Sequence, residues 1–251
     1  MTEHPGRSIP SLYLTAPGPC PYLPDRRERK VFTHLLGSDS IPLNDALSEA
    51  GFRRSQTIAY RPACEGCNAC VSVRIKVAGF KPSKNFRRVE ANNRDIIRTH
   101  IDAKASQEQF SLLRTYLDER HDDGGMADMT ALDYVSMIED TTVRTEVVEY
   151  RIDQGADENS DNSLAAVALT DELTDGLSMV YTFYDVKQTR RSLGTYLILD
   201  HIREAQLRGL PYVYLGYWIK DCRKMAYKGR FKPLEALTKD GWQDFERLNA
   251  E

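Results

Sequence analysis

Apolar residues recur at regular spacings through most of this chain, and these spacings predict its secondary structure. Strict alternation of apolar and polar residues from Val71 to Val77 predicts a strand with one buried face. Shorter apolar or alternating runs predict four more strands, at 142–152, 163–170, 177–184 and 212–217. Apolar residues three or four positions apart predict four helices, at 44–50, 107–120, 132–138 and 190–208.

The ends of two predicted helices carry sequence signals. Ser106 and Gln109 have the spacing of a capping box, in which each side chain bonds the backbone N–H of the other residue. Gly209 and Pro211 end the helix at 190–208, because neither residue continues a helix well. Glycine-rich and acidic stretches predict loops at Gly124–Gly125 and 154–162.

The order of these elements predicts an α+β fold. Sequential strands joined by short turns pair antiparallel, whereas the helix at 190–208 permits a parallel crossover to the last strand. This order resembles the acyltransferase fold of the GNAT superfamily. Proline and glycine punctuate the first hundred residues, which leaves room only for short elements there. We therefore expect two domains: a small cysteine-containing N-terminal domain at 1–100 and a GNAT-like domain at 101–251.

Charge is unevenly distributed along the chain. Residues 1–100 carry 16 Lys and Arg against 9 Asp and Glu, and residues 185–251 carry 13 against 9. Residues 101–184 carry only 5 against 19, although the net charge of the whole chain is −3. If the two basic ends meet in space, they form a surface able to bind a polyanion. The alternative is that the acidic residues merely solvate exposed helices and loops.

Composition excludes several classes of protein. Hydrophobic residues make up 41% of the 251 positions, which suffices for a buried core, but no apolar run approaches the ~18 residues of a membrane span. The first ten residues lack the apolar segment of a secretory signal. We therefore expect a cytoplasmic protein with no membrane partner, in a compartment that keeps thiols reduced.

Three of the five cysteines recur at a spacing of three, at Cys64, Cys67 and Cys70. A tight turn at this spacing brings thiols to one side, where they can bind a metal ion or a cluster. Cys20 adds a fourth thiol, and we expect all four to lie close together. They form either a zinc or iron–sulfur site or a reduced, metal-free group of buried residues. The basic and aromatic residues around them favour a protein that handles nucleic acid.

Five short segments, taken together, resemble the arginyl-tRNA–protein transferase family, and above all its bacterial branch, the aspartate/glutamate leucyltransferases. The segments are Cys20-Pro-Tyr-Leu-Pro24, Gly51-Phe-Arg-Arg-Ser55, Tyr60-Arg-Pro-Ala-Cys64-Glu-Gly-Cys67-Asn-Ala-Cys70, Phe80-Lys-Pro-Ser-Lys-Asn-Phe-Arg-Arg88 and Met225-Ala-Tyr-Lys-Gly-Arg-Phe-Lys-Pro233. Their order and spacing extend the resemblance over nearly the whole chain.

The resemblance implies an aminoacyl-tRNA as donor and the N-terminus of a protein as acceptor. In the bacterial branch the donor is leucyl-tRNA, the acceptor begins with Asp or Glu, and the product is an N-end rule degradation signal. The chemistry requires no cofactor, and DNA is not a partner. The cysteine spacing departs from that of eukaryotic relatives, so the resemblance leaves zinc, an iron–sulfur cluster and a metal-free cluster all open.

The implied reaction needs no covalent enzyme intermediate, because the tRNA ester is already activated and the acceptor amine is the nucleophile. The protein has to orient the amine, stabilise the oxyanion and protonate the leaving ribose hydroxyl. We expect the cleft of a GNAT-like fold to open near Tyr181, Asp185 and Tyr217. Tyr181, Asp185 and Tyr227 are the candidate catalytic residues. Asp185 is expected to hold the acceptor's α-ammonium group, and Tyr227 matches the tyrosine acid of acetyltransferases, although it is also a plausible packing residue.

Arginine is the expected receptor for the acceptor's carboxylate, because a guanidinium binds a carboxylate bidentately. Three doublets qualify, and each has contact with tRNA phosphate as its alternative role: Arg53-Arg54, Arg87-Arg88 and Arg190-Arg191. The first doublet is favoured, because the turn at Gly51-Phe52 is expected to orient it beside a strand.

The other substrate-binding candidates are Gly194, Tyr217 and Lys228. Arg191 and Gly194 match part of the phosphate-binding loop that precedes a helix in acetyltransferases. Tyr196 would crowd a pyrophosphate there, which argues against acetyl-CoA as donor. Three alternative functions stay open: transfer of arginine by the same chemistry, a non-catalytic metal-sensing RNA-binding protein, and an acetyl-CoA-dependent N-acetyltransferase.

Overall fold

A computed structural model describes residues 10–120, 126–153, 155 and 162–248 of the protein. The glycine pair at 124–125 and most of the predicted loop at 154–162 lie outside these residues. The first part of the chain forms short strands and one helix. In chain order they are β1 (Tyr13–Leu14), β2 (Gly18–Pro19), β3 (Arg27–Glu28), β4 (Lys30–His34), α1 (Ser40–Glu49), β5 (Arg53–Ser55) and β6 (Ile58–Pro62).

The remaining elements build the larger part of the molecule. In chain order they are β7 (Val71–Lys76), α2 (Lys84–Ala91), β8 (Ile96–Asp102), α3 (Gln107–Arg120), α4 (Ala131–Glu139), β9 (Thr145–Ile152), β10 (Ser163–Leu173), β11 (Gly176–Tyr184), α5 (Leu193–Leu207), β12 (Tyr212–Trp218), α6 (Arg223–Ala226), β13 (Leu234–Thr238), β14 (Gly241–Asp244) and α7 (Phe245–Leu248). Short 3₁₀ turns at 189–191 and 227–230 precede α5 and follow α6.

Two main sheets result from this order. The small sheet has the order β1-β4-β6-β5, and the large one has the order β14-β13-β7-β12-β11-β10-β9-β8. In the large sheet the described pairs are antiparallel except β11 with β12, which run parallel across the crossover helix α5. The predicted α+β class is therefore confirmed, with the two helices, three antiparallel strands, crossover helix and parallel strand expected of a GNAT-like fold.

Alternation along the strands sends apolar side chains to both faces of the large sheet. Val147 and Val148 of β9 are both fully buried, yet they belong to different hydrophobic clusters, because successive residues of a strand point to opposite faces. One cluster packs under α2, α5 and α7, and the other under α3 and α4. A third cluster, around Leu35, Leu47 and Ala59, belongs to the small sheet and α1.

The predicted strands and helices are confirmed within a few residues of their expected ends. The predicted capping box is also present: the backbone N–H of Gln109 donates to Ser106 Oγ at 3.2 Å, and that of Ser106 donates to Gln109 Oε1 at 3.0 Å. Within the described residues, no helix combines the length and the apolar character that crossing a bilayer requires.

The expected division at residue 100 remains a prediction about domains, but it does not coincide with a break in the large sheet. Strand β7 lies between β13 and β12, and β8 forms the edge beyond β9. Both strands come from the first 102 residues, so the two predicted segments share one hydrogen-bonded sheet.

A buried ion pair joins the small sheet to the large one. Arg54 of β5 donates from Nε and Nη2 to the two carboxylate oxygens of Asp171 in β10, at 2.6 and 2.7 Å. The two side chains are only 2% and 1% exposed. Thr145 donates its hydroxyl to the same carboxylate at 2.7 Å, and the carbonyl of Gln56 accepts from Arg54 Nη1 at 3.0 Å. The pair is thus fully bonded, as buried charges require.

We expect Arg54→Met to lower the free energy of unfolding by about 3–5 kcal/mol, because it leaves the carboxylate of Asp171 buried without its cation. Urea unfolding at pH 7 measures the change. Arg114→Met is the matched control, since Arg114 forms a partly exposed helical ion pair with Asp118 that contributes only ~0.3–0.5 kcal/mol. An Arg54→Met protein within about 0.5 kcal/mol of wild type would show that the pair does not hold the sheets together.

Candidate active site

The central feature of the large sheet is a split between its two parallel strands. β11 and β12 pair only from Gly176 to Ser178 and from Tyr212 to Tyr214, although both strands continue well beyond this register. Beyond it, the facing backbone groups no longer have each other as partners. Buried backbone carbonyls need a hydrogen bond, so other groups have to satisfy them.

Arg53 of the small sheet fills the start of this split. Its guanidinium donates to the carbonyls of Met179 and Val180 in β11, at 3.2 and 2.8 Å, and to that of Leu215 in β12 at 3.2 Å. Gly216 makes room for this bridge: its φ is +71°, and an added Cβ would lie 1.3 Å from Arg53 Nη1. A glycine is therefore required here both by conformation and by space.

Lys228 also donates hydrogen bonds to carbonyls of β12. Its Nζ donates to the carbonyls of Leu215 and Tyr217, both at 2.8 Å, and the residue is only 8% exposed. Burial, and then the positive charge of Arg53, lower the pKa of Lys228 to about 7. Within the described residues neither cation forms an ion pair with a carboxylate, so the split carries a positive potential.

A group of tyrosines lies at the far end of β11. Tyr184 packs edge-to-face on Tyr116, with ring centroids 5.1 Å apart, and both Tyr181 and Tyr227 are near enough to affect the pKa of Tyr116. Burial raises the pKa values of Tyr181 and Tyr227 to about 12. Both phenols therefore stay protonated near neutral pH and can donate hydrogen bonds.

A second group of aromatic residues joins the split to the N-terminal cysteines. Tyr217 donates its hydroxyl to the carbonyl of Tyr60 at 3.2 Å, and its ring lies under the guanidinium of Arg53. Burial, followed by the nearby Tyr60, raises the pKa of Tyr22 to about 12. Cys70 acts electrostatically on both Tyr22 and Tyr217, so the cysteines border this side of the split.

The four cysteines predicted as metal ligands share one neighbourhood. Burial, and then the charges of Cys20, Cys64 and Cys67, raise the pKa of Cys70 to about 12. This shift disfavours the thiolate, which is the form that binds a metal. The thiol of Cys64 also bonds the backbone of Arg29. Among the described residues no three His, Cys, Asp or Glu side chains are arranged to hold a metal ion.

Asp185 lies in the turn that leads from β11 towards α5. Its carboxylate accepts from the backbone N–H of Lys187 at 3.0 Å and from Gln188 Nε2 at 3.2 Å. Gly194, in the first turn of α5, lies against the ring of Tyr184, where an added Cβ would be 3.1 Å from Cε1. These two residues therefore fix the turn beside the tyrosine group.

The arginine doublets separate in the structure. Arg53 reaches the split, whereas Arg54 is committed to Asp171, which argues against Arg54 as a carboxylate receptor. Arg191 forms a bidentate ion pair with Asp95, with both bonds at 2.7 Å. The other three arginines are exposed away from these contacts: Arg87, Arg88 and Arg190.

Sequence reasoning missed several residues that shape the site. Asp171 lies inside an apolar strand with no signal that it partners an arginine. Tyr116 and Tyr184 lie in a predicted helix and a predicted strand, and nothing in the sequence indicates that they meet in one group of tyrosines. Tyr60 was noticed only as the start of a segment, and Tyr22 only as part of the motif around Cys20.

Comparison with known proteins identifies the family. Residues 18–88 and 108–238 match the models described as the N terminus and the C terminus of arginine-tRNA-protein transferase. The chain is 59% identical over 244 residues to the aspartate/glutamate leucyltransferase of Nitrobacter hamburgensis, with 96% of this chain and 94% of that protein covered. Proteins of the same name are 57% identical in Parvibaculum lavamentivorans, covering 97% and 98%, and 59% identical in Xanthobacter autotrophicus, covering 98% and 100%.

Two solved structures show a weaker likeness. L-PGS from Bacillus licheniformis has a TM-score of 0.45 at 10% identity, covering 75% of this chain and 52% of that one. The GCN5-related glucosamine N-acetyltransferase region of a fungal β-N-acetylglucosaminidase has a TM-score of 0.40 at 10% identity, covering 83% and 22%. The family models and the near-full-length relatives decide the matter: this chain belongs to the arginine-tRNA-protein transferase family, in its aspartate/glutamate leucyltransferase branch.

Proposed function

We propose that this protein transfers leucine from leucyl-tRNA to the N-terminal Asp or Glu of acceptor proteins, which marks them for N-end rule degradation. The observation that carries the proposal is an identity of 56–59%, over nearly the whole chain, with relatives that are named aspartate/glutamate leucyltransferases. The split between β11 and β12 supplies a site with the charge and the hydrogen-bond donors that this chemistry needs.

The transfer is a direct attack of an amine on an ester. The neutral α-amino group of the acceptor attacks the ester carbonyl carbon, the bond to the ribose oxygen breaks, and the proton lost by the amine balances the one gained by the ribose. An α-amino group has a pKa of about 7.7–8.0, so a useful fraction is neutral near pH 7. No cofactor is needed, because the ester is already activated.

Positive charge in the split matches the charges of this reaction. Arg53 and Lys228 lie there without a carboxylate partner in the described residues, and they favour the acidic side chain of the acceptor or the developing oxyanion. Tyr181 and Tyr227 retain their protons and can donate to the oxyanion or the leaving ribose oxygen. The role of Asp185 towards the acceptor's ammonium group is also part of the proposal.

The setting of the reaction follows from its donor. We infer a cytoplasmic reaction, because the donor is a tRNA and because a reducing compartment keeps thiols free, as all five are here. Neither DNA nor a membrane takes part in the proposed reaction. A zinc or iron–sulfur site at the four N-terminal cysteines remains a prediction, and the transfer itself does not call for it.

The first test is the activity itself. Purified protein, labelled leucyl-tRNA and arginyl-tRNA, and peptides that begin with Asp, Glu, Ala or Lys form the assay. We expect leucine on the Asp and Glu peptides alone, because only these offer a carboxylate to the positive split. Transfer of arginine in place of leucine would reassign the donor, and no transfer from either tRNA would remove the proposed activity.

The second test concerns acceptor choice. We expect Arg53→Gln to lower kcat/KM for Asp-initiated peptides by roughly 30-fold or more, since losing one partner of a buried charged contact costs ~2–5 kcal/mol. Affinity for leucyl-tRNA, measured by fluorescence anisotropy, should change less than about twofold. Arg114→Gln is the matched control, because Arg114 pairs with Asp118 on α3 and makes none of the split contacts. If Arg53→Gln loses tRNA affinity and keeps its peptide selectivity, Arg53 contacts the donor instead.

The third test uses the lowered pKa of Lys228. An unfolded lysine has a pKa of about 10.4, so above pH 7 the unfolded state holds a proton that the folded state has released. The free energy of unfolding therefore rises with pH through this window, by at most ~1.4 kcal/mol per pH unit from this residue. Below pH 7 both states are protonated, and the contribution no longer changes.

We expect Lys228→Met to remove that rise in urea unfolding curves collected between about pH 7 and pH 8.5. The difference in slope between the variant and wild type isolates the contribution of Lys228, because all other titrating groups are the same in both proteins. Lys239→Met, at an exposed turn between β13 and β14, is the matched control and should keep the wild-type slope. Parallel slopes for wild type and Lys228→Met would mean that Lys228 stays charged in the fold.

A further inference from the structure

An open groove of about 480 Å³ runs between α2 and α5, on the other face of the sheet from Arg54 and α3. Three arginines line it, namely Arg87 of α2, Arg94 in the turn after α2, and Arg203 of α5. Glu90 and Tyr196 also lie in its walls. We call this feature the arginine groove; Arg87 was a substrate-binding candidate from the sequence, and none of the split contacts uses the groove.

The two helices present these residues in register. Tyr196 and Arg203 are seven positions apart, which is about two turns, so they share one face of α5. Arg87 and Glu90 are three positions apart and share one face of α2. Because α2 packs directly on α5, through Phe86 and Val89, the two faces form opposite walls of one groove.

The charge of the arginine groove is unbalanced. Arg87 and Arg94 are exposed and form no ion pair with any described carboxylate. Arg203 pairs with Asp200, but that buried carboxylate also receives Arg98 at 2.7 Å and the hydroxyl of Tyr150 at 2.8 Å. Three guanidinium groups and one carboxylate, that of Glu90, line the groove, and Arg203 is the one of the three that has a described ion-pair partner, Asp200. The excess of positive charge, in fork-shaped donors, suits phosphate groups.

Hydrogen bonds connect the arginine groove to the residues that lie between β11 and α5. Asn93, in the turn after α2, donates to the carbonyl of Arg191 at 2.8 Å, and Arg191 itself is bound to Asp95 in that turn. Helix α5 begins two residues after Arg191, and its Gly194 lies against Tyr184 at the end of β11. The groove therefore begins within one helical turn of the tyrosine group, at Tyr196.

We propose that the arginine groove binds phosphodiester groups of the RNA donor, next to the end that carries the amino acid. The inference rests on the proposed function, in which the aminoacyl ester binds in the split. The rest of the bound RNA then has to extend from the split across the protein surface. The two basic segments of the sequence supply the arginines, with Arg87 and Arg94 from 1–100 and Arg203 from 185–251. An open groove accommodates a continuing chain better than an enclosed pocket does.

Salt dependence of binding separates phosphate contacts from other roles. Each phosphate contact contributes about 0.7–0.9 to the slope of log affinity against log salt concentration. The probes are leucyl-tRNA and the same tRNA without leucine, with affinity measured by anisotropy between about 50 and 200 mM KCl. The variants are Arg87→Gln with Arg94→Gln as a double change, Arg203→Gln alone, and Arg114→Gln as the control.

We expect the double variant to flatten the slope by about 1.4–1.8 and to weaken both tRNAs roughly tenfold near 150 mM KCl. The difference between wild type and the double variant should be the same for tRNA with and without leucine, because the groove contacts phosphate and not the amino acid. The KM of the double variant for leucyl-tRNA should rise, because the groove contributes to binding of the donor. Arg114→Gln should match wild type in slope, affinity and kcat.

Other outcomes overturn the inference. An unchanged slope in the double variant, with a wild-type melting temperature, shows that the groove does not hold RNA. Groove-dependent binding to phosphatidylserine vesicles without groove-dependent binding to tRNA assigns it to a membrane surface instead. Failure of the proposed function is distinguishable: wild type then binds tRNA with the predicted slope change but transfers no leucine.

Discussion

Two neighbouring strands that separate within a sheet leave backbone carbonyls without partners, and the way this chain satisfies them organises the rest of the structure. A buried carbonyl without a hydrogen bond costs about 1–3 kcal/mol. At the split, Arg53 and Lys228 bond four carbonyls, those of Met179, Val180, Leu215 and Tyr217. Because Arg53 comes from the small sheet, the split is complete only when the two sheets are joined.

This constraint also produces the chemistry of the site. The carbonyls accept hydrogen bonds from the guanidinium of Arg53 and the side-chain nitrogen of Lys228, and no described carboxylate pairs with either group. The same burial that lowers the pKa of Lys228 raises those of Tyr181 and Tyr227, so the split combines positive charge with protonated phenols. An acidic acceptor and a developing oxyanion are the groups that such a site stabilises. The neighbouring residue Arg54, held by Asp171, keeps the strand that carries Arg53 in place.

Much of the fold was predictable because long elements have a clear hydrophobic period. The strands from β9 to β12 and the helices α3, α4 and α5 follow their predicted spans. Strand β8 was missed because only alternate residues along it are partly buried, and β13 and β14 because they are short. The order of the predicted elements indicated the α+β class, and the family resemblance supplied the function, which no hydrophobic spacing contains.

The candidate site was predictable only in part, for reasons of geometry. Adjacent residues of a strand point to opposite faces, so the doublet Arg53-Arg54 had to divide between two roles, and the sequence does not say which residue takes which. The partner of Arg54 lies 117 positions away, at Asp171. The closeness of Cys64, Cys67 and Cys70 followed from their spacing and that of Cys20 was a separate expectation, but the raised pKa of Cys70 depends on burial, which spacing does not determine.

Arg53 and Lys228 lie together in the split, where burial and the charge of Arg53 lower the pKa of Lys228. The most direct test is an NMR titration of the side-chain nitrogen of Lys228, in wild type and in Arg53→Met. We predict a pKa near 7 in wild type, because burial and Arg53 both lower it, and a higher pKa once Arg53 is removed. A wild-type pKa close to that of a free lysine, unchanged in Arg53→Met, would contradict the account.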